Sequence, residues 1–212
     1  VPDQLAMREQ LGLPRQGPIF TLMPGSRKSE LEFMAPLYIE VARVLLRDYP
    51  DATFLVPLAT RATMDQFDQL LTRHKAWDLP LRKLFGHAQM AMIASDVVLV
   101  TSGTATLEVA LYKKPMVIAY KMMEASWQIL RHMGYQPWVG LPNILEQRFI
   151  VPELLQSAAT PQALADALWT QLTDDANRAH LTERFSAMHA SLLRDSANVT
   201  AEAVMKVIAQ SR

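Results

Sequence analysis

The apolar positions of this chain follow two alternating periods. Short runs that are apolar at nearly every position predict buried strands, and longer segments with apolar residues at helical spacing separate them. The predicted strands are 19–23, 53–56, 81–85, 97–100 and 115–119, and the predicted helices are 3–13, 30–49, 60–74, 88–94, 105–112, 121–138, 151–156, 161–172, 174–193 and 197–209. Strands that are apolar on both faces favour a parallel sheet covered by helices on both sides. We therefore predict an α/β fold with a helical C-terminus.

The chain shows no internal repeat, low-complexity segment or Gly/Ser linker. We predict a single domain, with an N-terminal segment (1–16), an α/β core (17–157) and C-terminal helices (158–212). Because the chain begins Val1-Pro2-Asp3 without an initiator methionine, we expect a fragment or a processed chain.

Composition narrows the function classes. The 212 residues include 21 Lys plus Arg and 21 Asp plus Glu, so no net positive field favours nucleic acid, and an anion site must be local. The absence of cysteine excludes disulfides and thiolate metal sites. No apolar run is long enough to span a bilayer, and no signal pattern is present. These features favour the cytoplasm, and they leave open a peripheral membrane contact.

One candidate site is the turn Pro24-Gly25-Ser26-Arg27, which follows the first predicted strand. Gly25 permits close approach of the backbone to a phosphate, and Arg27 offers a fork of N–H donors. Neither standard glycine-rich phosphate motif is present. The alternative is a plain turn with a solvated arginine. Ser29 and Glu32 have capping-box spacing, which predicts a helix beginning near Glu30.

The second candidate is the stretch 101–108, Thr-Ser-Gly-Thr-Ala-Thr-Leu-Glu, which joins the fourth predicted strand to a helix. The backbone N–H groups and hydroxyls of Thr101, Ser102, Gly103 and Thr104 suit a diphosphate. Ser102 as a nucleophile is disfavoured because the Gly-x-Ser-x-Gly elbow is absent. Glu108 is placed to accept two hydrogen bonds from a vicinal diol such as ribose; the alternative is a solvated acid at a helix N-terminus.

Three further residues are weaker candidates. Asn143 and Gln147 supply amides that suit a sugar or phosphate, although such residues are more often turn and cap residues. His87 lies by the Gly86 turn and would touch a ligand or remain a surface histidine. The histidine spacings do not indicate a metal site.

In order and spacing, these motifs resemble the C-terminal half of the lipid-A-disaccharide synthase family. The motifs that carry the resemblance are Leu22–Arg27 with Glu30, Ser95-Asp96, Thr101–Glu108, Pro115-Met116-Val117, Tyr120 and Leu141-Pro142-Asn143. The resemblance covers essentially the whole chain. It implies a two-domain glycosyltransferase of the B architecture, of which this chain is the donor half with a Rossmann-like parallel sheet of about six strands.

The resemblance also implies a reaction and its partners. The family transfers 2,3-diacylglucosamine from UDP onto 2,3-diacylglucosamine 1-phosphate, forming the lipid A disaccharide without a metal or other cofactor. Arg27 and the Ser102–Thr104 turn would serve the diphosphate, Glu108 the ribose, and Asn143 the sugar-phosphate region. The family's N-terminal half, with the expected general base, is missing, so no catalytic residue is assigned and no turnover by this chain alone is expected. The resemblance further implies a homodimer at full length and a location on the cytoplasmic side of the inner membrane.

Two other hypotheses stay open at this point. A related UDP-N-acetylglucosamine transferase or epimerase would use the same kind of turn and glutamate. A noncatalytic oligomerisation or membrane-docking module would instead use the apolar segment 122–138 and the C-terminal helices.

Overall fold

The computed structural model describes residues 3–123, 126–128, 136–193 and 196–210. The strands are β1 (Ile19–Met23), β2 (Thr53–Leu58), β3 (Leu81–Phe85), β4 (Val97–Thr101), β5 (Met116–Tyr120) and β6 (Glu153–Leu155). The helices are α1 (Gln4–Gln10), α2 (Lys28–Asp48), α3 (Arg61–Arg73), α4 (Ala88–Ala94), α5 (Ala105–Leu111), α6 (Leu141–Glu146), α7 (Pro161–Thr173), α8 (Asp175–Leu192) and α9 (Ser196–Gln210), with a 3₁₀ turn at Gln156–Ala158.

All six strands lie in one parallel sheet with the order β3-β2-β1-β4-β5-β6. The predicted α/β fold with a parallel sheet of about six strands is therefore confirmed. From β1 the chain moves outward to β3 and then returns to place β4 on the other side of β1. The crevice between the carboxyl ends of β1 and β4 is thus the topological switch point, where open parallel sheets bind ligands.

Helices cover both faces of the sheet. Alternate strand residues enter different apolar clusters: Phe20 and Leu99 pack in the cluster with α2, α3 and α7, whereas Val98 and Val100 pack in the cluster with α5 and α8. Since side chains point to opposite faces in turn along a strand, this division explains why nearly every strand residue is apolar.

Two elements in the segment after 140 differ from the prediction. The pattern over 151–156 predicts a helix, but this segment contains β6, which pairs in parallel with β5 through Ile118 and Glu153. Residues 141–146 form α6, which the sequence pattern does not predict. The predicted helix over 121–138 lies partly outside the described residues; within them, 126–128 are helical.

Candidate functional site

A cavity of about 610 Å³ opens at the switch point. It is bounded by the segments that follow the carboxyl ends of β1, β2, β3 and β4. Its lining residues are Met23, Gly25, Ser26, Arg27, Glu30, Pro57, Leu58, Ala59, Gly86, His87, Ala88, Val100, Thr101, Ser102, Gly103, Thr104, Ala105 and Glu108. The two candidate junctions therefore meet in one cavity.

The wall at the end of β1 is organised by the Glu30 carboxylate. One of its oxygens, Oε2, accepts hydrogen bonds from the backbone N–H groups of Ser26 (2.9 Å) and Arg27 (3.2 Å), and the other, Oε1, pairs with the Arg27 guanidinium at 3.1 Å. The helix α2 begins at Lys28 with Arg27 as its N-cap, so the predicted Ser29–Glu32 capping box is wrong. The carboxylate favoured by the helix N-terminus is Glu30, whereas Glu32 pairs with Arg73 on α3.

Gly25 is required by the same contact. Its φ is +111°, and a Cβ added there would lie 2.6 Å from both Cβ and Oε2 of Glu30. A glycine without a side chain lets the loop close over the Glu30 carboxylate.

The Arg27 side chain remains 79% exposed, and a guanidinium carries five N–H donors. The pair with Glu30 uses Nη1. No other partner of this guanidinium is found in the described part of the chain, so its other donors can meet an anion at the mouth of the cavity.

The wall at the end of β4 is the turn 102–104, which is fixed by hydrogen bonds on its outer side. Ser102 donates its backbone N–H to the Ala119 carbonyl (3.1 Å) and its hydroxyl to the Val139 carbonyl (2.9 Å). Thr106 donates its hydroxyl to the Gly103 carbonyl at 2.7 Å. Within the described part of the chain, the N–H groups of Gly103 and Thr104 make no hydrogen bond, so this exposed turn presents donors to the cavity.

Thr101 forms the floor beneath this turn. It is buried, and its hydroxyl lies 3.1 Å from the hydroxyl of Tyr38 on α2. Burial raises the pKa of the Tyr38 phenol, with the Thr101 hydrogen bond opposing the shift. The pair is a neutral contact that ties β4 to α2 under the cavity.

Glu108 lines the cavity from the first turn of α5. It is exposed, and within the described residues its carboxylate makes no hydrogen bond or ion pair. Both of its oxygens can therefore accept hydrogen bonds from a ligand.

The structure does not bring Asn143 or Gln147 to the cavity. Asn143 is fully buried: its oxygen accepts the N–H groups of Ile150 (2.8 Å) and Val151 (3.0 Å), and its nitrogen donates to the Val151 carbonyl (2.9 Å) and to Glu153 Oε1 (2.8 Å). These four bonds satisfy the whole amide, so the expected direct contact with a ligand is replaced by a contact inside the protein. Gln147 ends α6 in the left-handed conformation (φ +52°) and is exposed outside the cavity lining.

Sequence reasoning missed the walls formed by the end of β2 and by the turn after β3. Pro57, Leu58 and Ala59 line one side, and the turn from Gly86 to Ala88 lines another. His87, considered as a ligand contact, lies in this turn with φ +51°. These walls could have been found from the sequence, because β2 and β3 are predicted strands and the carboxyl ends of parallel strands lie at the same edge of a sheet.

Neither a metal centre nor a membrane span is formed by the described residues. No group of three or more His, Cys, Asp or Glu side chains is placed to hold a metal ion in this part of the chain. No helix in the same ranges has the length and apolar character needed to cross a membrane.

Comparison with known proteins identifies a family. The sequence profile described as Lipid-A-disaccharide synthetase matches residues 1–207. The lipid-A-disaccharide synthase of Chromobacterium violaceum is 63% identical over 206 residues, which are 97% of this chain and 53% of that protein. The lipid-A-disaccharide synthase of an Azoarcus species is 50% identical over 210 residues, covering 99% of this chain and 54% of the relative. The chain thus spans about half the length of the curated relatives it matches.

Solved structures show the same fold at low sequence identity. The crystal structure of Anabaena HepE in complex with UDP and glucose matches with a TM-score of 0.60 and 20% identity over 95% of this chain and 50% of that chain. The C-terminal domain of a glycosyl transferase group 1 family protein from Francisella tularensis matches with a TM-score of 0.57 and 17% identity, over 92% of this chain and 95% of that one. The second match is to a domain of the same extent as this chain.

Proposed function

This chain belongs to the lipid-A-disaccharide synthetase family, and we propose that it is the donor-binding half of a glycosyltransferase. The whole enzyme transfers 2,3-diacylglucosamine from its UDP derivative onto 2,3-diacylglucosamine 1-phosphate and releases UDP. The chain binds the UDP portion of the donor in the cavity between β1 and β4.

The observation that carries this proposal is the meeting of Arg27, the Gly103 turn and Glu108 in one cavity at the switch point. Backbone N–H donors and a guanidinium suit a diphosphate, whereas a carboxylate with both oxygens free suits the two hydroxyls of a ribose. The apolar residues Pro57 and Leu58 at the end of β2 line the remaining side, and we propose that the base packs against them. The complex between HepE, a protein of the same fold, and UDP with glucose supports the choice of nucleotide.

The same groups have an electrostatic role in the proposed reaction. When the glycosidic bond to the diphosphate breaks, negative charge develops on the departing UDP. Arg27 and the N–H groups of Gly103 and Thr104 stabilise that charge. No residue of this chain is assigned as the general base, and we propose that the base and most of the acceptor site lie in the other half of the enzyme. We therefore expect no disaccharide synthesis by this chain alone.

Calorimetric titration with UDP tests the proposal. Glu108→Ala removes the acceptor for the ribose hydroxyls, and loss of hydrogen bonds to a charged group predicts an affinity about tenfold to a hundredfold lower. The same variant binds 2′-deoxy-UDP with a smaller loss, because one of the two hydroxyls is already absent. Glu183→Gln, which changes an exposed glutamate on α8, is the control and leaves UDP affinity unchanged.

Arg27→Ala tests the diphosphate side separately. This variant weakens UDP binding but leaves uridine binding unchanged, because uridine carries no phosphate. A folded wild-type chain that does not bind UDP contradicts the proposed function and favours a noncatalytic module. Binding of UDP with equal affinity by wild type, Glu108→Ala and Arg27→Ala contradicts the assignment of the site.

The remaining partner assignments are also proposals. We propose that the full-length enzyme pairs through its C-terminal helices and touches the membrane peripherally. Val204, Met205 and Ile208 of α9 have exposed side chains, which suits a helix that meets a partner. Light scattering of the full-length protein, with and without substitution of these residues by serine, tests the pairing.

A further inference from the structure

Glu153, on the edge strand β6, lies outside the cavity but is connected to it by a chain of hydrogen bonds. Its Oε2 accepts the Val139 N–H (2.9 Å), and its Oε1 accepts the Gly140 N–H (2.9 Å) and the Asn143 amide (2.8 Å). No ion pair involves this carboxylate among the residues the structure describes. Its hydrogen-bonding capacity is directed at residues 139–143, a two-residue loop (139–140) that runs into the first turn of α6.

That loop and the first residue of α6 contact the turn that lines the cavity, one at each of two points. The Val139 carbonyl accepts the Ser102 hydroxyl (2.9 Å). The Leu141 N–H donates to the Thr106 hydroxyl (3.2 Å), which itself donates to the Gly103 carbonyl (2.7 Å). The Ser102 hydroxyl and the Gly103 carbonyl are thus held from outside the cavity, and among the described residues the N–H groups of Gly103 and Thr104 make no hydrogen bond.

The loop also lies close against the sheet. A Cβ added to Gly140 would overlap with Cδ1 of Ile118 on β5 and would lie 3.1 Å from Glu153 Oε1. Gly140 therefore packs directly against β5, and movement of the loop toward the sheet is blocked at this point.

From these contacts we infer that Glu153 is a positioning residue for the diphosphate site, acting through the Val139 carbonyl on Ser102. This inference rests on the proposed function and deepens it. It also gives Asn143 a role: its amide bridges Glu153 to the Val151 backbone and holds the carboxylate against the loop. The position of the Gly103 and Thr104 N–H groups is therefore set by a residue that does not contact the nucleotide.

Glu153→Gln is the primary test, because it keeps the shape of the side chain and removes one acceptor. A glutamine has a single oxygen, so its –NH₂ group faces at least one of the three N–H donors, and the loop is displaced. We expect UDP affinity to fall about tenfold and uridine affinity to fall less than about twofold. A role in overall folding alone would lower both affinities equally, and Glu183→Gln remains the matched control.

A double-mutant cycle tests whether Glu153 acts on the turn through the contact between Val139 and Ser102. In the Ser102→Ala background the link to Val139 is already broken, so Glu153→Gln should lower UDP affinity by less than about threefold further. If Glu153→Gln does not fold, Gly140→Ala replaces it, because that substitution moves the same loop without changing a charge, and the same split between UDP and uridine is expected.

The outcomes separate the two proposals. Wild type that fails to bind UDP overturns the proposed function and the inference with it. Wild type that binds UDP while Glu153→Gln binds it equally well overturns the inference alone. Equal losses for UDP and uridine, or a full tenfold loss in the Ser102→Ala background, also overturn it.

Discussion

Replacement of Gly25 by alanine tests how the loop after β1 is built. The substitution places a side chain at φ +111° and sets its Cβ 2.6 Å from Cβ of Glu30, an atom that is fixed to α2 and cannot rotate away. The loop must move, and the hydrogen bonds from Ser26 and Arg27 to the Glu30 carboxylate lengthen. We expect a loss of about 3 kcal/mol in the free energy of unfolding, of which about 2 comes from the backbone strain and about 1 from the weakened cap.

Gly12→Ala is the matched control for this substitution. Gly12 also has a positive φ (+61°), but a Cβ there meets no atom within 4 Å. An alanine at this position loses only the free energy of holding a side chain in the left-handed conformation, about 1 kcal/mol. Thermal unfolding should therefore show a decrease in Tm of about 6–12 °C for Gly25→Ala and about 2–4 °C for Gly12→Ala, since a chain of this size loses about 2–4 °C per kcal/mol. Equal decreases would refute the role of Glu30 in this loop.

Three further substitutions test the interior. Burial lowers the pKa of Lys114 from 10.5 to about 8. Between about pH 8 and 10.5 the unfolded chain therefore binds more protons than the folded chain, and the free energy of unfolding rises with pH. In Lys114→Met this rise should be smaller, as measured by urea denaturation across the same pH range. Asn143→Asp places a carboxylate oxygen against the Val151 carbonyl and Glu153. The variant should be less stable than wild type, and the difference should grow as pH rises above about 4, where the aspartate ionises in the unfolded chain. Chemical denaturation at several pH values measures this difference. Tyr38→Phe removes the hydroxyl beside Thr101 and should cost about 1 kcal/mol by the same measurement.

The sequence predicts most of the fold because most of the fold depends on local patterns. Apolar runs for β1, β2 and β4 and apolar helical spacing for α2 and α3 are strong signals, and the resulting alternation fixes a parallel sheet. The position of the switch point, between β1 and β4, follows from the order of the strands in that sheet. The two junctions that carry Arg27 and Glu108 can therefore be placed at one edge of the sheet from the amino-acid sequence alone.

The parts that could not be predicted depend on contacts between distant segments. The strand β6 is three residues long, and its apolar residues fit a helix equally well; only pairing with β5 decides between the two. Asn143 after a proline has the local signature of a turn, and its burial depends on Val151 and Glu153 further along the chain. For Glu30 and Glu32, spacing alone could not determine which carboxylate reaches the α2 N-terminus.

The position of Glu30 affects where the proposed diphosphate can bind. Its carboxylate already accepts the Ser26 and Arg27 N–H groups at the start of α2, so the partial positive charge of that helix is offset. A diphosphate placed there would have to displace a carboxylate that is only 16% exposed. Other donors at the cavity include the outer N–H groups of Arg27 and the N–H groups of Gly103 and Thr104. Since Glu153 positions that turn through the loop 139–140 and the start of α6, the proposed donor site depends on the far edge of the sheet as well as on the switch point.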